Sequence, residues 1–325
     1  MTMKTITPVI ISASRATDLP AFYSEWLMNR IRAGYAIWTN PFNRKFSQKV
    51  SFAQTRAFVF WTKNPGPLMP YLGEIDSMGY HYYFQYTLND YGAEGLEPGL
   101  PLLDERIQTF KALAERVGKA RVIWRFDPLL LSDDLTVEHL LERVRRVGDQ
   151  VHSSTERLVF SFADIETYRS VRRRLGEGYR EFSPDEMNYF AESIAEMNQD
   201  WGLALATCAE KIDLSAYGVE KNRCIDDRLL RRLFPDDPEL MAFLGPAPQR
   251  DLFGNIVEDP RRRKSLKDKG QRKECGCIKS KDIGTYSTCP HLCRYCYANS
   301  VEKTVKRNYE KHQPDMEGLI AYYTE

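Results

Sequence analysis

The sequence predicts an α/β fold of the (β/α)8-like barrel type, with a barrel in which one strand is missing or irregular as the alternative, and a C-terminal cysteine-rich loop. Three observations predict it. Short apolar or aromatic runs alternate with longer amphipathic stretches, the pattern of strands joined by helices and hence of a largely parallel sheet. The 325 residues, 42% hydrophobic and 12% aromatic, suffice for one large core of the size that α/β barrels build as a single domain. Polar residues recur at the end of each apolar run, where the strands of a barrel converge on one mouth.

The first strand covers Val9 to Ala13, with Ser12, Ser14 and Arg15 at its end, and a helix follows over Ala21 to Ala33. Tyr35 to Thr39 and Ala57 to Thr62 read as the next two strands; Asn40 follows one, Lys63 and Asn64 the other. In both Asn40-Pro41 and Asn64-Pro65 the proline pushes the asparagine to an extended conformation, which suits a turn after a strand. Gly66 to Met78 is helical, and Tyr80 to Thr87 is a strand with Gln85 and Asn89 around its end. Leu102, Ile107, Phe110, Leu113 and Val117 form one face of a helix over Pro101 to Val117. Ala120 to Arg125 and Arg157 to Ser161 are strands that lead to Asp127 and Asp164, separated by a helix over Val137 to Gln150. Ile165 to Leu175 is helical, and Ser183-Pro184-Asp185-Glu186 opens a helix reaching Gln199. Leu203 to Cys208, followed by Glu210, and a short strand at Arg223 to Ile225, followed by Asp226 and Asp227, bring the count to eight.

Five of the seven cysteines crowd between Cys275 and Cys296. Cys289, Cys293 and Cys296 fall in CPHLCRYC, a Cys-x3-Cys-x2-Cys triplet. Three thiolates on a four-iron cluster leave one iron for a ligand other than protein, which points to a 4Fe-4S centre with chemistry at the open iron. A structural zinc site is the alternative, with the Cys275-Gly276-Cys277 pair as its second half. Cys208, Cys224, Cys275 and Cys277 make a third set, either ordinary buried residues or a second cluster or redox pair. His291 lies inside the triplet loop, within reach of a cluster sulfur or a bound cofactor; the other four histidines read as ordinary surface or core residues.

The triplet with Tyr295 before its last thiol resembles the cluster motif of the radical S-adenosylmethionine (SAM) superfamily. The resemblance implies that the free iron chelates the methionyl part of SAM and that a cluster electron cleaves SAM to a 5'-deoxyadenosyl radical. In that superfamily the motif follows the first strand and a Gly-Gly-Glu strand end holds the methionyl amine; here the cysteines follow the last strand and no Gly-Gly-Glu occurs. ISASRATDLPAFY, VFWTKNP, WRFDPLLL and the segment from Cys275 to Ser300 together resemble the bacterial domain of unknown function 1848 family. That resemblance implies a single-domain bacterial protein whose cysteine cluster, similar to that of radical SAM enzymes, sits at the opposite end of the chain; along the chain, a barrel over 1–260 carries a basic segment and cluster region over 261–325 packed on it. It supplies no substrate.

Lys63 and Arg125 each follow a tryptophan at a strand end, positions suited to clamping a carboxylate or phosphate. With Asp127 they are the candidate catalytic residues; the alternative is that Arg125 pairs with Asp127 or Asp164 to hold the loops. Tyr295, His291, Gln85 and Asn89 are the candidate cofactor-binding residues, and Cys289, Cys293 and Cys296 the metal ligands. The expected function is SAM cleavage to act on an unidentified substrate, with electrons from a donor such as flavodoxin or ferredoxin. An iron-sulfur electron-transfer or sensor protein is one alternative. A nucleic-acid-binding or repair protein with a structural metal is the other; it would use the ten Lys and Arg between Arg261 and Lys281, a run that a solvated linker also explains. A net charge of +1 gives no global pull toward nucleic acid or an anionic membrane. With neither a signal-peptide pattern nor an apolar run of spanning length, the expected location is the cytoplasm, with no membrane partner.

Overall fold

The computed structural model describes residues 3–41, 43–247, 249–250, 256–257 and 260–320. An eight-stranded sheet forms its centre, from β1 (Ile10–Ala13), β2 (Ala57–Thr62), β3 (His81–Thr87), β4 (Val122–Leu129), β5 (Arg157–Phe162), β6 (Ala204–Thr207), β7 (Glu220–Lys221) and β8 (Lys281–Asp282). The strands lie in the order β7-β6-β5-β4-β3-β2-β1-β8, and every neighbouring pair is parallel. The result is an α/β fold with an open, irregular barrel-like sheet whose edges are β7 and β8. Such strands must be apolar on both faces, and AFVFWT and HYYFQYT accordingly bury nearly all their side chains.

The helices follow the same logic. α1 (Ser24–Ala33) packs on the Tyr35–Asn40 strand, α2 (Leu72–Ser77) follows β2, and α3 (Leu103–Val117) packs on β4 and α4 (Val137–Val151); α4 and α5 (Pro184–Trp201) pack on each other. α4 buries Val137, Leu140, Leu141, Val144, Val147 and Val151, a 3.6-residue stripe. Thr136 caps it by accepting from His139 N, and a capping box of Ser183 and Glu186 starts α5. Where the two helices touch, a Cβ on Gly148 would stand 2.4 Å from the Trp201 ring, so only glycine permits that approach.

The count of eight strands is met by a different set from the expected one. Tyr35–Asn40 lies outside the main sheet: it pairs antiparallel with Asn43–Ser51, which pairs in turn with Lys4–Ile6. Its place is taken by β8, two polar residues that carry no alternation. The last short strand lies at Glu220–Lys221 rather than at Arg223 to Ile225, and the helix expected from Ile165 starts at Arg169. The helix expected over Ala21 to Ala33 is two, Leu19–Phe22 and α1, meeting at Tyr23. A boundary drawn at residue 260 adjoins 258–259, outside the described residues; β8 nonetheless puts the C-terminal segment in the central sheet. No helix among the described residues is long and apolar enough to cross a membrane.

Candidate functional site

At the carboxyl ends of the parallel strands lies a cavity of about 740 Å3. Arg15 follows β1 into its wall, Lys63 follows β2, Arg125 and Asp127 come from β4, Cys208 and Glu210 follow β6, and Cys224 follows β7. Asn40 also reaches it, although its strand belongs to the side sheet. Cys275, Cys277, Cys289, Cys293 and Cys296 complete the wall, so all seven cysteines face one space. All seven are free thiols.

They fall into two groups. Cys289 and Cys293 are influenced electrostatically by each other or by Cys296, and burial pushes the first well up and the second up to about 12. Cys208, Cys224, Cys275 and Cys277 bond among themselves: Cys208 Sγ is 3.4 Å from Cys224 Sγ, and side-chain hydrogen bonds link Cys224 to Cys277 and Cys277 to Cys275. Among the described residues no three or more His, Cys, Asp or Glu side chains stand preassembled around a common metal position.

The triplet loop is held from several sides. Leu292 adopts φ +54°, a left-handed conformation uncommon for leucine, and the turns Leu292 N to Cys289 O (3.4 Å) and Cys296 N to Cys293 O (3.1 Å) fold the loop back on itself. Tyr23 Oη donates to Thr288 O (2.5 Å), and Asn299 Nδ2 donates to Cys289 O (2.9 Å). Arg174 grips four carbonyls: Arg294 O (3.1 Å), Asn299 O (2.9 Å), Ser300 O (3.3 Å) and Cys296 O. Gly99 fits against the backbone of Pro290 and His291, where a Cβ would stand 2.5 Å from Pro290 O.

Two of the expected clamps are already engaged. Lys63 Nζ lies 2.8 Å from Glu97 Oε1 and 2.8 Å from Tyr295 Oη. Burial raises the Glu97 carboxyl, but Lys63 and Arg106 outweigh it and hold its pKa below the ordinary value. Burial likewise opposes the Lys63 charge, and Glu97 and Cys293 more than restore it. Arg125 is paired with Asp127 and donates to Gln85 Oε1 (3.0 Å) and Cys224 Sγ (3.3 Å). The loop-holding alternative for Arg125 is thus the geometry found, with Asp127 as partner; Asp164 pairs with Arg272.

The expected cofactor residues also have structural partners. Gln85 and Asn89 are buried behind the lining: Gln85 Nε2 donates to Cys224 O (2.8 Å), and Asn89 Nδ2 to Tyr295 Oη (3.0 Å). Tyr295 also donates to Glu97, anchoring the triplet loop to the sheet. His291 Nε2 lies 2.9 Å from Asp18 Oδ2, and its Nδ1 3.2 Å from Gly99 O.

Glu97, Asp18, Arg174 and Asp282 were not singled out from the sequence. Asp282 accepts from Ser12 Oγ (2.8 Å), Ser14 Oγ (2.7 Å) and the backbone of Arg15 (2.8 Å) and Gly284 (2.9 Å), stitching β8 to β1. No local pattern marks such an acid, because its four donors come from the chain's two ends. In the basic run, Arg262 caps the carbonyls of Phe243 and Leu244, Arg272 bonds Asp164 and Tyr168, and Lys281 sits 3.1 Å from the centre of the Trp38 ring. These cations brace the fold.

An open parallel α/β barrel with a thiol-lined mouth is the class that fold and cavity define. The chain belongs to the family described as domain of unknown function (DUF1848), whose model matches residues 10–298. None of the curated proteins matches it. A solved structure of a putative alpha-L-fucosidase from Bacteroides thetaiotaomicron VPI-5482 is similar at 10% identity and a TM-score of 0.27, covering 56% of this chain and 84% of that one. A likeness at that level carries no argument about activity.

Proposed function

We propose that the protein is an iron-sulfur enzyme of radical SAM-like type, with a 4Fe-4S cluster held by Cys289, Cys293 and Cys296 and SAM bound at the same mouth. The observation that carries this reading is that the three cysteines line, in one braced loop, a cavity that nearly every strand end reaches. The donor set suits a cluster, since three thiolates leave an iron without a protein ligand. Burial disfavours bare thiolates at Cys289 and Cys293, so a cationic metal core at that position supplies the compensating charge. The cluster, when bound, would supply the electron for reductive cleavage of SAM.

The chain's own residues would bind and orient. Lys63 and Arg125 are committed to Glu97 and Asp127, which moves the carboxylate-binding role to Arg15. Its guanidinium bonds Cys277, but its Nη2 is buried at the cavity with no hydrogen-bond partner among the described residues, which leaves that nitrogen to meet a carboxylate. Lys63, Asn89 and Glu97 hold Tyr295, and His291 on Asp18 holds the other half of the loop. The reading in which Cys275 or Cys277 closes the cluster as fourth ligand is disfavoured by their bonding to Cys224 and to each other.

Protein prepared without oxygen is expected to hold iron and sulfide that are lost when Cys289, Cys293 and Cys296 are changed to alanine and kept in Cys208→Ala. Reduced with dithionite, it should convert SAM to 5'-deoxyadenosine and methionine, detected by mass spectrometry, and Arg15→Met should weaken SAM binding with iron content unchanged. Zinc without iron at the triplet overturns the proposal. An intact cluster that neither responds to SAM nor yields product favours electron transfer, for which the same donor proteins and no organic substrate would be required.

A further inference from the structure

We propose that Cys208, Cys224, Cys275 and Cys277 form a second, separate metal site: a tetrathiolate that takes one thiophilic divalent cation, zinc above all, and clips together the two open edges of the sheet. Its ligands differ from those of the triplet, so it stands whether or not the triplet binds iron.

The thiols come from distant segments and are linked pairwise, Cys208 to Cys224, Cys224 to Cys277 and Cys277 to Cys275; the cation would draw this chain of contacts into one tetrahedron. Cys208 follows β6, Cys224 follows β7, and Cys275 and Cys277 precede β8. Between the edges the chain already makes contact: Ile278 N donates to Ile225 O (3.1 Å) and Ile225 N to Cys277 Sγ (3.4 Å). Gly276 lets the two-thiol turn lie on residues 222–223, since a Cβ there would stand 2.8 Å from Arg223 Cγ and 3.1 Å from Asn222 O.

Compactness selects the cation. Zinc–sulfur bonds of ~2.3 Å give a tetrahedron with edges of about 3.8 Å, and the 3.4 Å between Cys208 and Cys224 is close to that. A four-iron cluster places each thiolate on a different iron and holds the sulfurs farther apart. Binding exchanges four thiol protons for one divalent cation, leaving a net charge of −2 on the site. Two guanidiniums offset it: Arg125 donates to Cys224 Sγ (3.3 Å), and Arg15 bonds Cys277. Asn222 Nδ2 also donates to Cys224 Sγ (3.2 Å), the N–H···S support that metal thiolates take from their surroundings.

The test uses the full chain with Cys289, Cys293 and Cys296 changed to alanine, stripped with a chelator and titrated with cobalt(II). One cobalt per chain with the intense visible and sulfur-to-cobalt bands of a tetrahedral tetrathiolate is expected, displaced by zinc and lost in Cys224→Ser. Alkylation mapping by mass spectrometry guards against a variant that fails to fold: zinc should protect Cys208, Cys224, Cys275 and Cys277 together in the otherwise unaltered triplet variant. A four-iron chromophore on these four cysteines, a Cys208–Cys224 disulfide in protein isolated under reductant, or alkylation indifferent to zinc would each overturn the proposal.

Discussion

The two cysteine groups share one cavity but solve opposite electrostatic problems. The quartet has two arginines against its sulfurs and hydrogen bonds from backbone and side chain; it is built to carry negative charge. The triplet has only Cys293 fully buried; Lys63 acts on it, and that lysine already neutralises Glu97. Its loop is instead fixed through backbone carbonyls, by Arg174, Tyr23 and Asn299. Fixing backbone, with no guanidinium bonded to the sulfurs and single donors from Tyr295 and the His291 backbone, suits a site whose charge balance comes from what it binds. Surrounding sulfurs with donors suits a site that is structural at all times.

The largest test of that contrast lies beneath the triplet. Glu97→Ala would leave Lys63 and Arg106 facing each other without the acid between them, and removing one partner of a buried ion pair costs ~3–5 kcal/mol. Chemical denaturation should show that loss, and Lys63→Met in the same chain should recover part of it. Failure of the second change to rescue would mean that Glu97 matters through Tyr295 and not through charge.

Gly284 couples the two groups, for it lies between β8 and the triplet, where a Cβ would stand 1.9 Å from Ser14 Oγ. Gly284→Ala must displace Ser14 from Asp282, with an expected loss of ~1–3 kcal/mol from overpacking. Both cobalt uptake by the quartet and iron uptake by the triplet should fall together. A fall in one alone would show that the sites are set independently.

Arg174→Ala should act on the triplet only. Loss of its carbonyl contacts at a half-buried surface should cost ~1–2 kcal/mol, visible as lower iron occupancy with cobalt binding at the quartet unchanged.

The smallest effect is a pH dependence at the cavity rim. Burial raises the Glu210 carboxyl from 4.5 to about 7, while its acceptance of Phe162 N opposes the shift. A carboxyl raised in the folded state favours folding below its unfolded value and loses that contribution as pH rises through the folded one. Glu210→Gln should therefore be less stabilised by acid than the parent between about pH 4.5 and 7, as thermal melts across that window would read. Parallel melting curves for parent and variant would place Glu210 in water.

The barrel-like class was legible because its cause is local: buried parallel strands such as AFVFWT must be apolar throughout, and helices such as α4 must carry a 3.6-residue stripe. The polar strand ends were legible for the same reason, and Arg15, Asn40, Lys63, Arg125 and Glu210 do line one cavity. Which strands share a sheet was not. Tyr35–Asn40 has strand composition in either location, and only its antiparallel neighbour Asn43–Ser51 removes it from the centre. β8 carries two charged residues and no period, and it is a strand because Asp282 finds donors on Ser12, Ser14 and Arg15, some 270 residues away.

The sequence by itself determined the composition of the triplet, since three thiols within eight residues must lie near one another whatever the fold. It could not pair Cys208 with Cys224 or either with Cys275 and Cys277, because spacings of that size set no distance. Tertiary structure decided that by bringing the sheet's two edges together, and in the same step it turned Lys63 and Arg125 from open clamps into satisfied partners. A buried charge takes the nearest opposite charge, and nearness of that kind exists only in the folded chain.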